Sequence, residues 1–132
     1  MWRTVPVLFG LLMFTACQPA SLGSSKPLSA GALSEEYGRS SANVRSKYDG
    51  KELIVRGYTA TAATLPKPGD DQGSVFLEEK GRVPALRLTC WFSKEQAGEF
   101  SKIKVGQYVT VKGVFNGEAG VELKFCKLVS ME

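Results

Sequence analysis

The sequence predicts a mainly β domain, a small five-stranded Greek-key barrel with a helix between the third and fourth strands and an extra helix at the N-terminus. Three observations carry this. Leu86-Arg87-Leu88-Thr89-Cys90-Trp91-Phe92 alternates apolar and polar residues, the period of a strand with one buried face. Ser93-Lys94-Glu95-Gln96 follows at once with a capping-box pattern, so a helix should start there and run through Phe100 toward Ile103. Two strand-like runs precede this pair, and a glycine-punctuated hairpin follows it.

Taken in order, Ser29 to Lys47 spaces Leu33, Tyr37, Val44 and Tyr48 as an amphipathic helix, with Ser29 placed to cap its first turn. Gly31 and Gly38 each cost about 1 kcal/mol relative to alanine in a helix interior, so the helix should depend on packing against the barrel. Asp49-Gly50 ends it. The first strand is Leu53 to Thr61, with Gly57 expected at a bend or bulge. Leu65 to Gly73 is a breaker-rich loop, Ser74 to Glu79 the second strand, Lys80-Gly81-Arg82 a turn, and Val83 to Phe92 the third strand, with Pro84 near its start. Gln107 to Phe115 is the fourth strand, Asn116-Gly117 a hairpin turn, and Gly120 to Val129 the fifth.

At 132 residues, 43% apolar and 23% charged, the chain suffices for one domain with one core. The N-terminus has another composition. Arg3 precedes an apolar run from Val5 to Phe14 that is too short to span a bilayer, which takes about 20 residues, and that reads as a secretory signal. Phe14-Thr15-Ala16-Cys17 resembles the bacterial lipobox, in which leucine usually stands where this chain has Phe14. The resemblance implies that residues 1–16 are a lipoprotein signal peptide and that Cys17 is lipidated. Residues 17–28 would then be the lipidated N-terminus and a tether, and 29–132 the folded domain. It further implies a cell-envelope protein facing the periplasm, with Gln18 after the cysteine favouring the outer membrane.

With Cys17 set aside, Cys90 and Cys126 remain in an oxidising compartment, and a single disulfide is the simplest assignment. A phase conflict stands against it. Cys90 keeps step with Leu86 and Leu88, whereas Cys126 falls on the opposite parity to Val121 and Leu123. Two inward cysteines therefore require a bulge near Lys124-Phe125.

Strand, strand, strand, helix, strand, strand is the order of the OB-fold. Asn43, Lys47-Tyr48-Asp49-Gly50-Lys51, Val55-Arg56-Gly57, Leu88 to Phe92, Val105 to Gly113, and Leu123 with Cys126 together resemble the tRNA_anti-like family of OB-fold bacterial lipoproteins. The resemblance covers roughly 29–129. It rests on structural glycines, core residues and the cysteine pair, so it implies a fold and says little about activity.

Catalysis needs a nucleophile with a base, opposed carboxylates or a metal. The sequence has no histidine and no CxxC spacing, and its acidic pairs, Glu35-Glu36, Asp70-Asp71 and Glu78-Glu79, suit solvated turns and faces. We expect no enzyme, no metal and no cofactor. Placing Leu53, Val55, Val75, Leu77, Leu86, Leu88 and Cys90 inward turns Arg56, Tyr58, Phe76, Arg87 and Trp91 outward, on the wall where OB-folds generally bind. Such aromatics could stack single-stranded bases; we expect instead that the N-terminal helix covers Tyr58, Phe76 and Trp91. The net charge is +4, or +3 without Arg3, which permits a polyanion without demanding one. The expected partners are the membrane, through lipid on Cys17, and an envelope protein or small ligand. Nucleic acid is not expected, since the domain would be exported and is only mildly basic.

Overall fold

The computed structural model describes residues 26–81 and 87–132. The signal peptide, Cys17, most of the tether, and Val83, Pro84 and Leu86 of the expected third strand lie outside the described residues. The elements are β1 (Leu28–Ser29), α1 (Ala30–Arg39), α2 (Ser41–Tyr48), β2 (Glu52–Thr59), β3 (Gln72–Leu77), β4 (Leu88–Ser93), a 3-10 turn (Lys94–Gln96), α3 (Ala97–Phe100), β5 (Gln107–Asn116) and β6 (Glu122–Met131).

One sheet runs in the order β1-β2-β5-β6-β4-β3. Strands β2 to β6 are the five of a Greek-key barrel, with β4 and β6 parallel and the other barrel pairings antiparallel. Strand β2 and the residue that follows β3 meet at a bridge, where Tyr58 and Glu78 exchange backbone hydrogen bonds of 2.8 and 3.0 Å. Beside that bridge Leu28 and Ser29 pair in parallel with Val55 and Arg56, so the segment expected to be the end of a tether contributes to the sheet. Alternation in β2, β3 and β4 follows the expected parity, with Leu53, Val55, Val75, Leu77, Leu88, Cys90 and Phe92 buried.

Gly57 causes no bulge. β2 and β5 pair without a shift from Glu52 to Thr59. Instead, a Cβ on Gly57 would stand 2.6 Å from the Leu77 Cβ and 2.8 Å from the Ala30 Cβ, so its lack of a side chain lets α1 approach the barrel.

The N-terminal helix is two helices. Ser40 gives its N–H to Glu36 O at 2.9 Å and its hydroxyl accepts from Asn43 N at 3.4 Å, so this residue ends α1 and caps α2. The break lets both Leu33 and Val44 reach the core. Ser29 does cap α1, accepting from Ala32 N at 3.2 Å. The pair closes the barrel end where β2 begins and β5 finishes. Tyr37 donates to Gly117 O at 2.7 Å, and Asp49 accepts from Gly117 N at 2.8 Å and from Arg45 Nε at 2.8 Å. These bonds, Arg45 first and the Gly117 amide next, hold the Asp49 carboxyl below its ordinary pKa.

Two further expectations are corrected. Ser93 makes no capping bond, and the Lys94 N–H donates to Asp71 O at 2.9 Å, so the chain turns as a 3-10 segment before a short α3. Phe100 nevertheless closes the opposite barrel end, stacked on Phe92 at 4.1 Å and 6°. The β5–β6 connection is longer than a two-residue hairpin, because Asn116 pairs with Glu122. Val121 in that loop is buried, and its carbonyl accepts from Thr89 N at 2.9 Å.

Gly57→Ala should destabilise the fold by about 1–3 kcal/mol, the usual range for overpacking. Urea unfolding with an unchanged slope and a lower midpoint would be the expected result; an unchanged midpoint would show that α1 can shift outward freely.

Candidate functional site

The outer wall of β2, β3 and β4 carries the residues singled out from sequence, and the structure brings them together as cations over rings. The Arg87 guanidinium lies 5.3 Å from the Phe76 ring centroid, and its Nε is 3.3 Å from Oε2 of the buried Glu78, an ion pair without hydrogen-bond alignment. Arg56 sits 4.1 Å above Tyr108 and grips Glu132 at 2.6 and 3.4 Å. This contact raises the guanidinium pKa and holds the Glu132 carboxyl below its ordinary value. Tyr58 meets Tyr108 edge-on at 5.5 Å and has Lys80 over it at 5.9 Å. Trp91, across from Ser74 in the β3–β4 ladder, has Lys124 over it at 5.4 Å. Its indole N–H is buried with no hydrogen-bond partner among the described residues.

The N-terminal helices do not act as the expected cover for these rings. Their apolar residues enter the core at the barrel end and Tyr37 is committed to Gly117, while Tyr58, Phe76 and Trp91 remain half-buried beside cations of the barrel itself. Sequence reading missed Tyr108, Lys124, Lys80 and Glu132. Strand parity signalled Tyr108, but its pairing with Arg56 depends on the β2–β5 register.

Among the described residues two clefts flank the wall. One of about 370 Å³ lies between the β2–β3 loop, Pro66 to Asp71, and Lys94 and Ala97. The other, about 240 Å³, is bounded by Pro27, Leu28, Ser29, Arg56, Glu78, Glu79 and Tyr108, where the N-terminal segment joins the sheet. Among the described residues no group of three or more His, Cys, Asp and Glu side chains could hold a metal ion, and no helix is long and apolar enough to cross a membrane.

Beneath the wall, Cys90 and Cys126 are wholly buried and face one another. A register shift between Lys112 and Val114 sets Phe125 and Cys126 opposite Gly113, and Phe125 takes φ +56°. The bulge required by the phase conflict is therefore present, and it turns Cys126 inward. A Cβ at Gly113 would lie 2.8 Å from the Cys126 sulfur, so glycine makes room for it. The two cysteines are free thiols here, the Cys126 thiol donates to Leu123 O at 3.5 Å, and closing the expected bridge requires an oxidant to remove two electrons and two protons. Burial, then the neighbouring Cys126 thiol, pushes the Cys90 thiol well above its ordinary pKa.

A sheet of this order, with a helical segment between its third and fourth barrel strands, defines an OB-fold protein, and its outer wall is lined by aromatic and basic side chains. The tRNA_anti-like family model matches residues 17–127, and the chain belongs to that family. A solved structure described as a "putative nucleic acid-binding lipoprotein" from Klebsiella pneumoniae has the same fold, at a TM-score of 0.69 and 18% identity, over 87% of this chain and 100% of that one. No curated protein matches.

In the reduced, folded protein neither Cys90 nor Cys126 should take up iodoacetamide at neutral pH, and both should do so after denaturation. Peptide mass spectrometry reads this directly; rapid labelling of the folded state would show that the barrel opens readily.

Proposed function

We propose that this chain is a non-enzymatic, lipid-anchored OB-fold binding module of the bacterial envelope, facing the periplasm and presenting the outer wall of β2, β3 and β4 to an anionic ligand. The observation that carries the reading is the set of four cations seated over four rings, Arg56 on Tyr108, Lys80 on Tyr58, Arg87 on Phe76 and Lys124 on Trp91. Each such contact contributes about 0.5–1 kcal/mol where exposed, and it holds a charge beside a flat apolar surface. A ligand with acidic groups and planar or apolar parts engages both. Support for the anchor comes from the lipobox-like Phe14 to Cys17 and from the family match, which begins at Cys17.

Single-stranded nucleic acid is the second reading. The same pairing of rings and cations favours it, because bases stack on rings while phosphates meet cations. The neighbouring Klebsiella protein is described as a "putative nucleic acid-binding lipoprotein", so the expectation against such a ligand gains no support from it. In the exported protein we propose that Cys90 and Cys126 are joined by exchange with an oxidising disulfide before the barrel closes over them. The alkylation experiment then gives no labelling at either residue in denatured, unreduced protein.

Cys17→Ser should abolish incorporation of radiolabelled fatty acid and release the domain from the membrane fraction; undiminished labelling would remove the anchor from this reading. Trp91→Ala should weaken any binding of single-stranded oligonucleotides by about 1–3 kcal/mol, the loss of one stacking partner. Fluorescence anisotropy over a salt series measures it. No salt-sensitive binding by the unmodified protein would eliminate nucleic acid as the ligand.

A further inference from the structure

Strand β6 shifts register twice against β5, between Thr110 and Val111 and between Lys112 and Val114. The residues set out of the ladder at these shifts include Val129 and Phe125, both apolar and both open to solvent, at 52% and 73% exposure. Phe125 occupies a left-handed backbone conformation that a bulky residue adopts only at a cost in strain. Between the two, Lys127 stands directly across from Lys112, and neither forms a salt bridge among the described residues. Like charges at directly opposed positions are destabilising. Three locally unfavourable features thus share one surface, and an occupant that is anionic outside and apolar beneath relieves the two that concern solvent and charge.

We propose that Phe125, Val129, Lys112 and Lys127 form a docking surface for an anionic lipid bilayer, which orients the barrel on the membrane that anchors it. Phenylalanine and valine enter the headgroup boundary while the lysines meet lipid phosphates. This rests on the lipid-anchor reading above, and the chain's geometry agrees with it. Ten residues, Gln18 to Pro27, separate Cys17 from β1. Even fully extended they reach no more than about 35 Å. In the sheet β1, β2, β5 and β6 are consecutive, so at about 4.8 Å per strand β6 stands roughly 14 Å from the point where the anchored segment joins the barrel. A tethered domain is held near its surface at high effective concentration, and a patch of this size then suffices.

The test adds the full chain to vesicles of phosphatidylglycerol and phosphatidylethanolamine, or of phosphatidylcholine alone, each containing brominated lipid as quencher. Fluorescence of Phe125→Trp is read as the difference from the unsubstituted protein. The added tryptophan should be quenched at least about twofold more on the anionic vesicles, and the excess should vanish in Lys112→Glu/Lys127→Glu and at about 0.5 M salt. Equal quenching on both vesicle types, or none, overturns the proposal. Phe125→Gly supplies an independent arm: glycine relieves the backbone strain, so the melting temperature should hold or rise while association with anionic vesicles falls. Undiminished association overturns the proposal as well. Failure of the anchor itself appears separately, as absence of fatty-acid label at Cys17, while the signal from position 125 reads the patch alone.

Discussion

The β6 bulge at Phe125 is the constraint on which the rest of this barrel depends. Without the extra residue, every side chain from Cys126 onward would change faces, and Cys126 and Leu128 would leave the interior while charged neighbours entered it. Gly113 on the facing strand completes the arrangement, since any side chain there would occupy the space of the Cys126 sulfur. The backbone cost at Phe125 is offset by the burial of a core that β4, β5 and β6 share. The same residue is thereby left standing outward, which is why a packing requirement and an exposed apolar surface coincide on one strand.

The outer wall shows a different economy of forces. Its rings are half-buried and its cations half-buried to exposed, so the exposed Arg56–Glu132 pair contributes little to stability, whereas Arg87 offsets the charge of the buried Glu78. Glu132 and Glu78 each balance one arginine from one side, leaving the ring beneath to occupy the other. A wall built this way is held in shape by the barrel and by local charge balance, and the anionic ligand proposed above would compete with carboxylates already present. Trp91 differs from the others because its buried indole donor lacks a partner among the described residues, which costs free energy until an acceptor is supplied.

Closure of the barrel ends explains why this wall stays open. α1 and α2 spend their apolar residues on the end near Gly117, and Tyr37 and Asp49 lock the β5–β6 loop to them. Phe100 on the short α3 fills the other end. The helices thus take up one of the two loops that flank the wall and leave the β2–β3 loop, with its cleft beside Lys94, facing outward.

The order of strand and helix signals determined the barrel class, and alternation determined the inward set on β2, β3 and β4 and the need for a bulge near Lys124-Phe125, because strand parity is a local property with a period of two. Adjacent residues likewise carried the capping role of Ser29 and the outward direction of Arg56, Tyr58, Phe76 and Trp91. Contacts between distant segments decided the remainder. Ser40 splits the N-terminal helix because Leu33 and Val44 must both reach one core. Lys94 gives its N–H to the Asp71 carbonyl and so forfeits the expected capping box. Tyr108 comes under Arg56, Lys124 over Trp91, and Leu28 onto Val55 only through the register of strands far apart in the chain. Those placements follow from the pairing of strands distant in sequence, a long-range balance of register and burial that no window of neighbouring residues contains.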